Sequence, residues 1–115
     1  LGARRFDHLT ILRSWNHLPD PAADLALLLP RLRPGGTLLV VDNLGFGLAR
    51  TAAQSERGER STAGWEHHRS DDAAQAGRRI LAAATATGRS LTLLARRDVA
   101  PGTSNQWMLH YRVDA

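Results

Sequence analysis

Two β-prone apolar runs flank one well-capped helix near the start of this chain, and that spacing constrains its fold more than any other feature. The first run lies in Phe6 to Arg13 (FDHLTILR), where Leu9, Ile11 and Leu12 accompany β-branched Thr10 and a polar turn follows from Ser14 to Asp20. The second is Thr37 to Val41 (TLLVV), ending in Asp42 and Asn43. A short strand buried in a sheet reads this way. Between them, Asp20 supplies a favoured N-cap and Pro21 the first helical position, before an Ala- and Leu-rich stretch from Ala22 to Leu32. Pro30 cannot donate to the preceding turn and clashes with it, so the helix is expected to kink or stop near Leu29. Arg33, Pro34, Gly35 and Gly36 then predict a sharp reversal into a strand buried on both faces. Strand, helix and strand this close together predict a βαβ unit with parallel strands and a right-handed crossover.

The rest of the chain extends this α/β reading. From Leu44 to Arg69 the periodicity is lost, glycines recur and Glu56 to Arg60 is charged, so an irregular segment is expected, with a short helix around Ala49 to Arg57. Ser70, Asp71 and Asp72 can cap a second Ala-rich helix over Ala73 to Thr87, closed by Gly88. Leu91 to Arg96 and Gln106 to Val113 then predict an antiparallel hairpin around Asp98 to Thr103, with Trp107, Leu109, Tyr111 and Val113 alternating along one face.

At 115 residues the chain fits one domain. It contains no Cys, which removes disulfides, zinc–thiolate sites and thiol nucleophiles from consideration. Its basic residues are all arginine, and its net charge of +4 is spread from Arg4 to Arg112 among acids. An unclustered excess of this kind describes a solvated surface rather than a nucleic-acid footprint, and no nucleic-acid partner is expected. Neither the longest apolar runs nor the first residues fit a membrane span or a secretory leader, so the expectation is a cytoplasmic protein without a membrane partner.

The string from Phe6 to Asn43 resembles the fourth strand, following helix and fifth strand of class I S-adenosylmethionine-dependent methyltransferases. That family's pattern reads FD, an apolar strand, HHLPD, a helix, LRPGG and an apolar strand ending in an acid. Here it is carried by Phe6, Asp7, His17, Leu18, Pro19, Asp20, Leu32, Arg33, Pro34, Gly35, Gly36 and Asp42, with Asn16 in place of the first histidine. The helix and hairpin that follow also agree, since the family's last strand inserts antiparallel beside its fifth. The resemblance implies a partial Rossmann-like, doubly wound sheet with parallel strands and a C-terminal antiparallel hairpin. Residues 1–115 would then form the C-terminal part of a methyltransferase domain, with 44–69 as a lid-like segment. The family's glycine-rich loop and ribose-binding acid have no counterpart here, and Gly45 to Gly47 (GFG) follows the wrong strand. A fragment that begins in mid-fold is therefore expected.

Ligands of open α/β sheets collect outside the carboxyl ends of the strands. The resemblance puts Arg13, Ser14 and Trp15 against S-adenosylmethionine, with Trp15 covering the core as the alternative. His17 is a candidate base because imidazole titrates near neutrality; its alternative role is to support the turn. Asp42 is a second catalytic candidate and Asn43 an acceptor-orienting one, against hydrogen bonding to nearby loop amides. Trp65 to Asp72 (WEHHRSDD) concentrates titratable groups. His67 is taken as a third catalytic candidate, with Glu66, His68 and Arg69 facing the acceptor and Asn105 closing the site from the hairpin. His67, His68, Asp71 and Asp72 match no established metal-ligand spacing, so no metal is assigned.

The expected function is methyl transfer from S-adenosylmethionine to a small-molecule acceptor. The competing reading is a non-catalytic half-fold that associates through its first strand, either with itself or with a missing N-terminal half, because an unpaired apolar edge strand recruits a partner. Another Rossmann-like chemistry such as hydride transfer shares the βαβ pattern, and the C-terminal hairpin argues against it.

Overall fold

The computed structural model describes residues 4–44, 69–100 and 105–115. In chain order these form β1 (Phe6–Leu12), a 3₁₀ turn (Trp15–His17), α1 (Pro21–Leu28), a second 3₁₀ turn (Leu29–Arg31) and β2 (Leu32–Asn43). They continue with α2 (Ala73–Ala86), β3 (Leu91–Arg97) and β4 (Gln106–Val113). The four strands make one mixed sheet in the order β1-β2-β4-β3. β1 and β2 are parallel, while β4 runs antiparallel to both β2 and β3.

Local chemistry accounts for the helix ends. Asp20 accepts a hydrogen bond from the Ala23 amide at 3.1 Å and Pro21 occupies the first turn, as the sequence predicts. α1 stops at Leu28, and Pro30 lies within the 3₁₀ turn that follows, because it lacks the N–H that another α-helical turn requires. Arg5 donates to the Pro30 carbonyl at 2.9 Å, and Arg89 donates to those of Pro30 and Leu32. α2 opens with a capping box: the Gln75 amide donates to Asp72 Oδ1 at 2.8 Å, and the Asp72 amide to Gln75 Oε1 at 2.9 Å. Gly88, with φ of +73°, closes it.

The RPGG segment departs from its expected form. It is not a separate reversal but the opening of β2, and the β1–β2 register passes from Phe6 opposite Leu32 to His8 opposite Thr37. Arg33 to Gly36 therefore bulge around Asp7. Gly35 takes φ of +84°, and a Cβ on Gly36 would lie 2.6 Å from the Asp7 carbonyl oxygen. Arg33 Nη1 also meets Asp7 Oδ1 at 3.1 Å. The FD and RPGG strings, far apart in sequence, form one tight junction.

β2 is likewise not buried on both faces. Leu32 is buried at its start, and from Gly36 onward buried Gly36, Leu38, Val40 and Asp42 alternate with half-buried Thr37, Leu39, Val41 and Asn43. Cross-strand pairing places Ile11, Val40 and Leu109 on one face, with Leu38 and Tyr111 beside them. Leu25 and Leu29 from the α1 region and Ala76, Ile80 and Ala84 of α2 belong to the same buried cluster. The described helices thus cover one face, and the second helical layer of a doubly wound sheet is not seen among the described residues. Gly77 lets α2 approach β4, since a Cβ there would come within 3.2 Å of the Tyr111 hydroxyl.

Candidate functional site

Parallel pairing brings the carboxyl ends of β1 and β2 to the same edge of the sheet, and the start of α2 folds against them. β1 turns away from its strand direction at Arg13, a non-glycine residue with φ of +55° whose amide donates to the Val41 carbonyl at 2.7 Å. A left-handed arginine is uncommon, and here it bends the chain directly into the Trp15–His17 turn. His17 and Leu18 donate their amides to the Ser14 and Trp15 carbonyls at 3.0 and 3.1 Å, which makes the turn compact.

Beneath this turn lies a buried polar cluster. Asn16 and Asp42 are fully buried and Asp71 is 4% exposed. Asp42 Oδ2 accepts from the Asn16 amide at 2.7 Å, and Oδ1 accepts from the Asn43 amide at 2.8 Å. This carboxylate ties the end of β2 to the β1 turn. The Asn16 carboxamide bridges further: Nδ2 donates to the Asn43 and Asp71 carbonyls at 3.0 and 3.1 Å, and Oδ1 accepts from the Asp71 amide at 2.9 Å. Each buried polar group is thereby matched, as a low-dielectric interior requires.

Asp71 gathers cations and indoles. Its Oδ2 accepts from Trp15 Nε1 at 3.0 Å and from Arg69 Nε at 3.2 Å, and meets Arg79 Nε at 2.9 Å. Trp107 Nε1 donates to the Asp71 carbonyl at 2.9 Å. Arg69 also donates to the carbonyls of Trp15, at 2.6 Å, and Leu18, and its guanidinium stands 5.7 Å from the Trp15 ring centroid. A guanidinium over an indole face adds cation–π attraction to these bonds.

The sequence candidates are distributed unevenly over this arrangement. Arg13, Ser14, Trp15, His17, Asp42, Asn43, Arg69 and Asn105 come together at the strand-end edge. Asn105 joins it because the Leu44 amide donates to its carbonyl at 3.0 Å. Glu66, His67 and His68 lie outside the described residues, as do the helix expected at Ala49 to Arg57 and residues 101–103 of the hairpin turn. Arg13 is exposed and Ser14 half-buried, so both present surface at this edge, whereas Trp15 is fully buried with its indole N–H on Asp71. Asp42 spends both carboxylate oxygens on backbone amides. Arg69 uses its guanidinium on the turn and on Asp71. His17 is half-buried at the end of the 3₁₀ turn.

Asn16 and Asp71 are the residues of the site that sequence reasoning passed over. Asn16 stands out in the sequence only as a departure from the paired histidines, and Asp71 only as one of several caps and a rejected metal ligand. Among the described residues no cluster of three or more His, Asp or Glu forms a metal-binding group, and no helix is long and apolar enough to cross a membrane. A cleft of about 390 Å³ opens between α1 and α2, lined in part by Pro19, Asp20, Ala26, Arg69, Arg79 and Ala83.

No protein-family model matches the chain, and no curated protein matches it in sequence. Solved structures do. The N-methyltransferase NodS from Bradyrhizobium japonicum WM9 is similar over the whole chain with a TM-score of 0.57 at 16% identity. The structure of LepI in complex with S-adenosylmethionine matches 99% of the chain with a TM-score of 0.52 at 13% identity. A structure described as a pericyclic reaction enzyme gives the same TM-score and identity. The chain spans 55% of NodS and 28% of each of the others. It therefore has the fold of part of an N-methyltransferase, a fold that also carries other chemistry.

Proposed function

We propose that this chain is the acceptor-side half of an S-adenosylmethionine-dependent methyltransferase and acts on a small-molecule acceptor. The observation that carries the reading is the strand order β1-β2-β4-β3 with β4 antiparallel in its midst, together with the likeness of the whole chain to a solved N-methyltransferase. The polar strand-end edge lies where open α/β sheets hold their ligands.

From this chain, S-adenosylmethionine would be met by the exposed surface of Arg13 and Ser14 and by the backbone of the turn, since the Trp15 side chain is committed to the interior. Bound there, it supplies an electrophilic methyl carried on a sulfonium. The chain's own contribution is positioning and proton removal. His17 is the described side chain suited to accept the acceptor's proton, with His67 of the 45–68 segment as the other base. Asp42 holds Asn43 and the turn in place and Arg69 is committed to the turn and Asp71, which leaves Asn43, Asn105 and the Glu66 to His68 stretch to orient the acceptor.

Amide chemical-shift mapping with S-adenosylmethionine tests this. Shifts centred on Arg13 to His17 and Asn43 are expected; shifts confined to the outer surfaces of α1 and α2, or none with the upstream coding sequence present, contradict it.

A second reading has its own observation. β1 is hydrogen-bonded along one edge only among the described residues, with Leu12 60% exposed, and the sheet face opposite the helices carries half-buried Leu39, Val41 and Met108. Such a surface suits an association module that docks an N-terminal half or a second copy.

A further inference from the structure

Asn16, Asp42 and Asp71 are the buried polar side chains among the described residues, and they meet at one point where segments from four parts of the chain cross. The carboxamide of Asn16 treats the Asp71 peptide group as a strand would, accepting its N–H at 2.9 Å and donating to its C=O at 3.1 Å. Its remaining N–H reaches the Asn43 carbonyl at 3.0 Å. A carboxamide suits this task because its donor and acceptor lie side by side in one plane. A neutral imidazole carries its donor and acceptor on separate ring nitrogens and cannot pair with both groups of one peptide. Asparagine at position 16 is thus matched to a particular neighbour, the backbone of Asp71.

The Asp71 side chain reinforces the same junction from the opposite direction. Its carboxylate takes the Trp15 indole N–H, and Arg69, bonded to that carboxylate, reaches back to the carbonyls of Trp15 and Leu18. The Arg69 amide donates to the Asn16 carbonyl at 3.3 Å. Backbone and side chain alike tie residues 15–18 to residues 69–71 through reciprocal bonds.

We propose that Asn16 is a positioning residue that locks the Ser14–Leu18 turn to the start of α2, so that the two move as one unit and a ligand seated on the turn is felt at Arg69 and Asp71. The ligand part rests on the function proposed above; the mechanical part does not. The consequence is that the geometry of the strand-end site is set from α2 as well as from β1.

Amide hydrogen exchange on the whole chain tests the lock. In Asn16→His, the amides of Asn16, His17 and Leu18 are expected to lose protection together with those of Arg69 and Asp71. The loss should be about tenfold or more, as for a missing buried hydrogen bond, while the Leu39 to Val41 amides of β2 stay unchanged. If Asn16→His fails to fold, Arg69→Gln serves, since it removes the guanidinium bonds to the turn without entering the core; loosening of His17, Leu18 and Asp71 together is again expected. Exchange that changes on one side of the junction alone overturns the proposal. In the wild type, S-adenosylmethionine that shifts Arg13 and Ser14 should also protect Asp71, and binding that leaves Asp71 untouched overturns it too. Absence of binding even with the upstream coding sequence present removes the proposed function, and the exchange of the variants then decides the lock by itself.

Discussion

Replacing Gly36 with alanine tests the junction that opens β2. The new Cβ would stand 2.6 Å from the Asp7 carbonyl oxygen and 2.8 Å from that of Arg33, both inside the 3.0 Å that real Cβ atoms essentially never breach. Both obstacles are backbone, so neither can swing aside as a side-chain tip would. Relief requires β1 to lift from β2 at Asp7 or the bulge to open. Overpacking of this kind costs about 1–3 kcal/mol, and the rigid partners place Gly36→Ala in the upper half of that range. For a domain of this size about 1 kcal/mol corresponds to roughly 4 °C in Tm, so thermal unfolding followed by circular dichroism should show a fall of about 8–12 °C. Gly35 is the control. Its φ of +84° is unusual for an L-residue, but nothing lies within 4 Å of its Cβ position, and asparagine, one of the few L-residues that visit this region, should lose no more than the low end of about 1–2 kcal/mol. Gly35→Asn should therefore unfold within a few degrees of wild type. A Gly36→Ala protein as stable as wild type, or no worse than Gly35→Asn, would refute the close approach.

Other residues give equally direct tests. Asp72→Ala removes the acceptor of the capping box and should lower stability by about 1 kcal/mol in urea unfolding; an unchanged midpoint would count against the box. Asp114 accepts hydrogen bonds from Thr92 and Ser90, which hold its carboxyl below the usual aspartate range. Its stabilising contribution is therefore present above the unfolded pKa and is lost as pH falls through the lower folded value, and Asp114→Asn should flatten the acid limb of the urea midpoint against pH. Burial raises the Tyr111 phenol, with Arg96 opposing, so that contribution is present below the unfolded tyrosine pKa and declines as pH rises through the folded one. Tyr111→Phe should remove part of the alkaline loss, and identical alkaline limbs would exclude it. If β1 recruits a second copy, Leu12→Lys should shift the chain toward monomer in light scattering without lowering Tm, and an unchanged mass distribution would rule that edge out.

Much of the fold was legible because its signals are local. Asp20 and Pro21 start α1, Pro30 ends it, Asp72 is among the caps read for α2, and the alternation of Trp107, Leu109, Tyr111 and Val113 marks the buried side of β4. The insertion of β4 between β2 and β3 came from the family resemblance rather than from any residue pattern. The RPGG bulge was misread because its shape depends on Asp7, a partner in another strand. β2 was expected to be covered on both sides, since an apolar run reports hydrophobicity and not which elements lie over each face. The candidate site was half legible. Strand ends can be located from sequence, but the Asn16–Asp71 junction joins residues more than fifty positions apart, and a lone asparagine in a polar turn gives no sign that it is buried. Asp42 illustrates the same gap: an acid after a strand suggests chemistry, and here its oxygens hold two backbone amides.

Calorimetric titration with S-adenosylmethionine bears most directly on the proposal that this chain is one half of a methyltransferase site. It should be run on the 115-residue chain and on the same chain with its upstream coding sequence. Binding at micromolar concentrations or tighter is expected for the extended protein and much weaker or no binding for the chain alone, because the proposed half supplies only the Arg13 to His17 turn. Equal micromolar binding by both would contradict the division of the site, and no binding by either would contradict the methyltransferase reading itself.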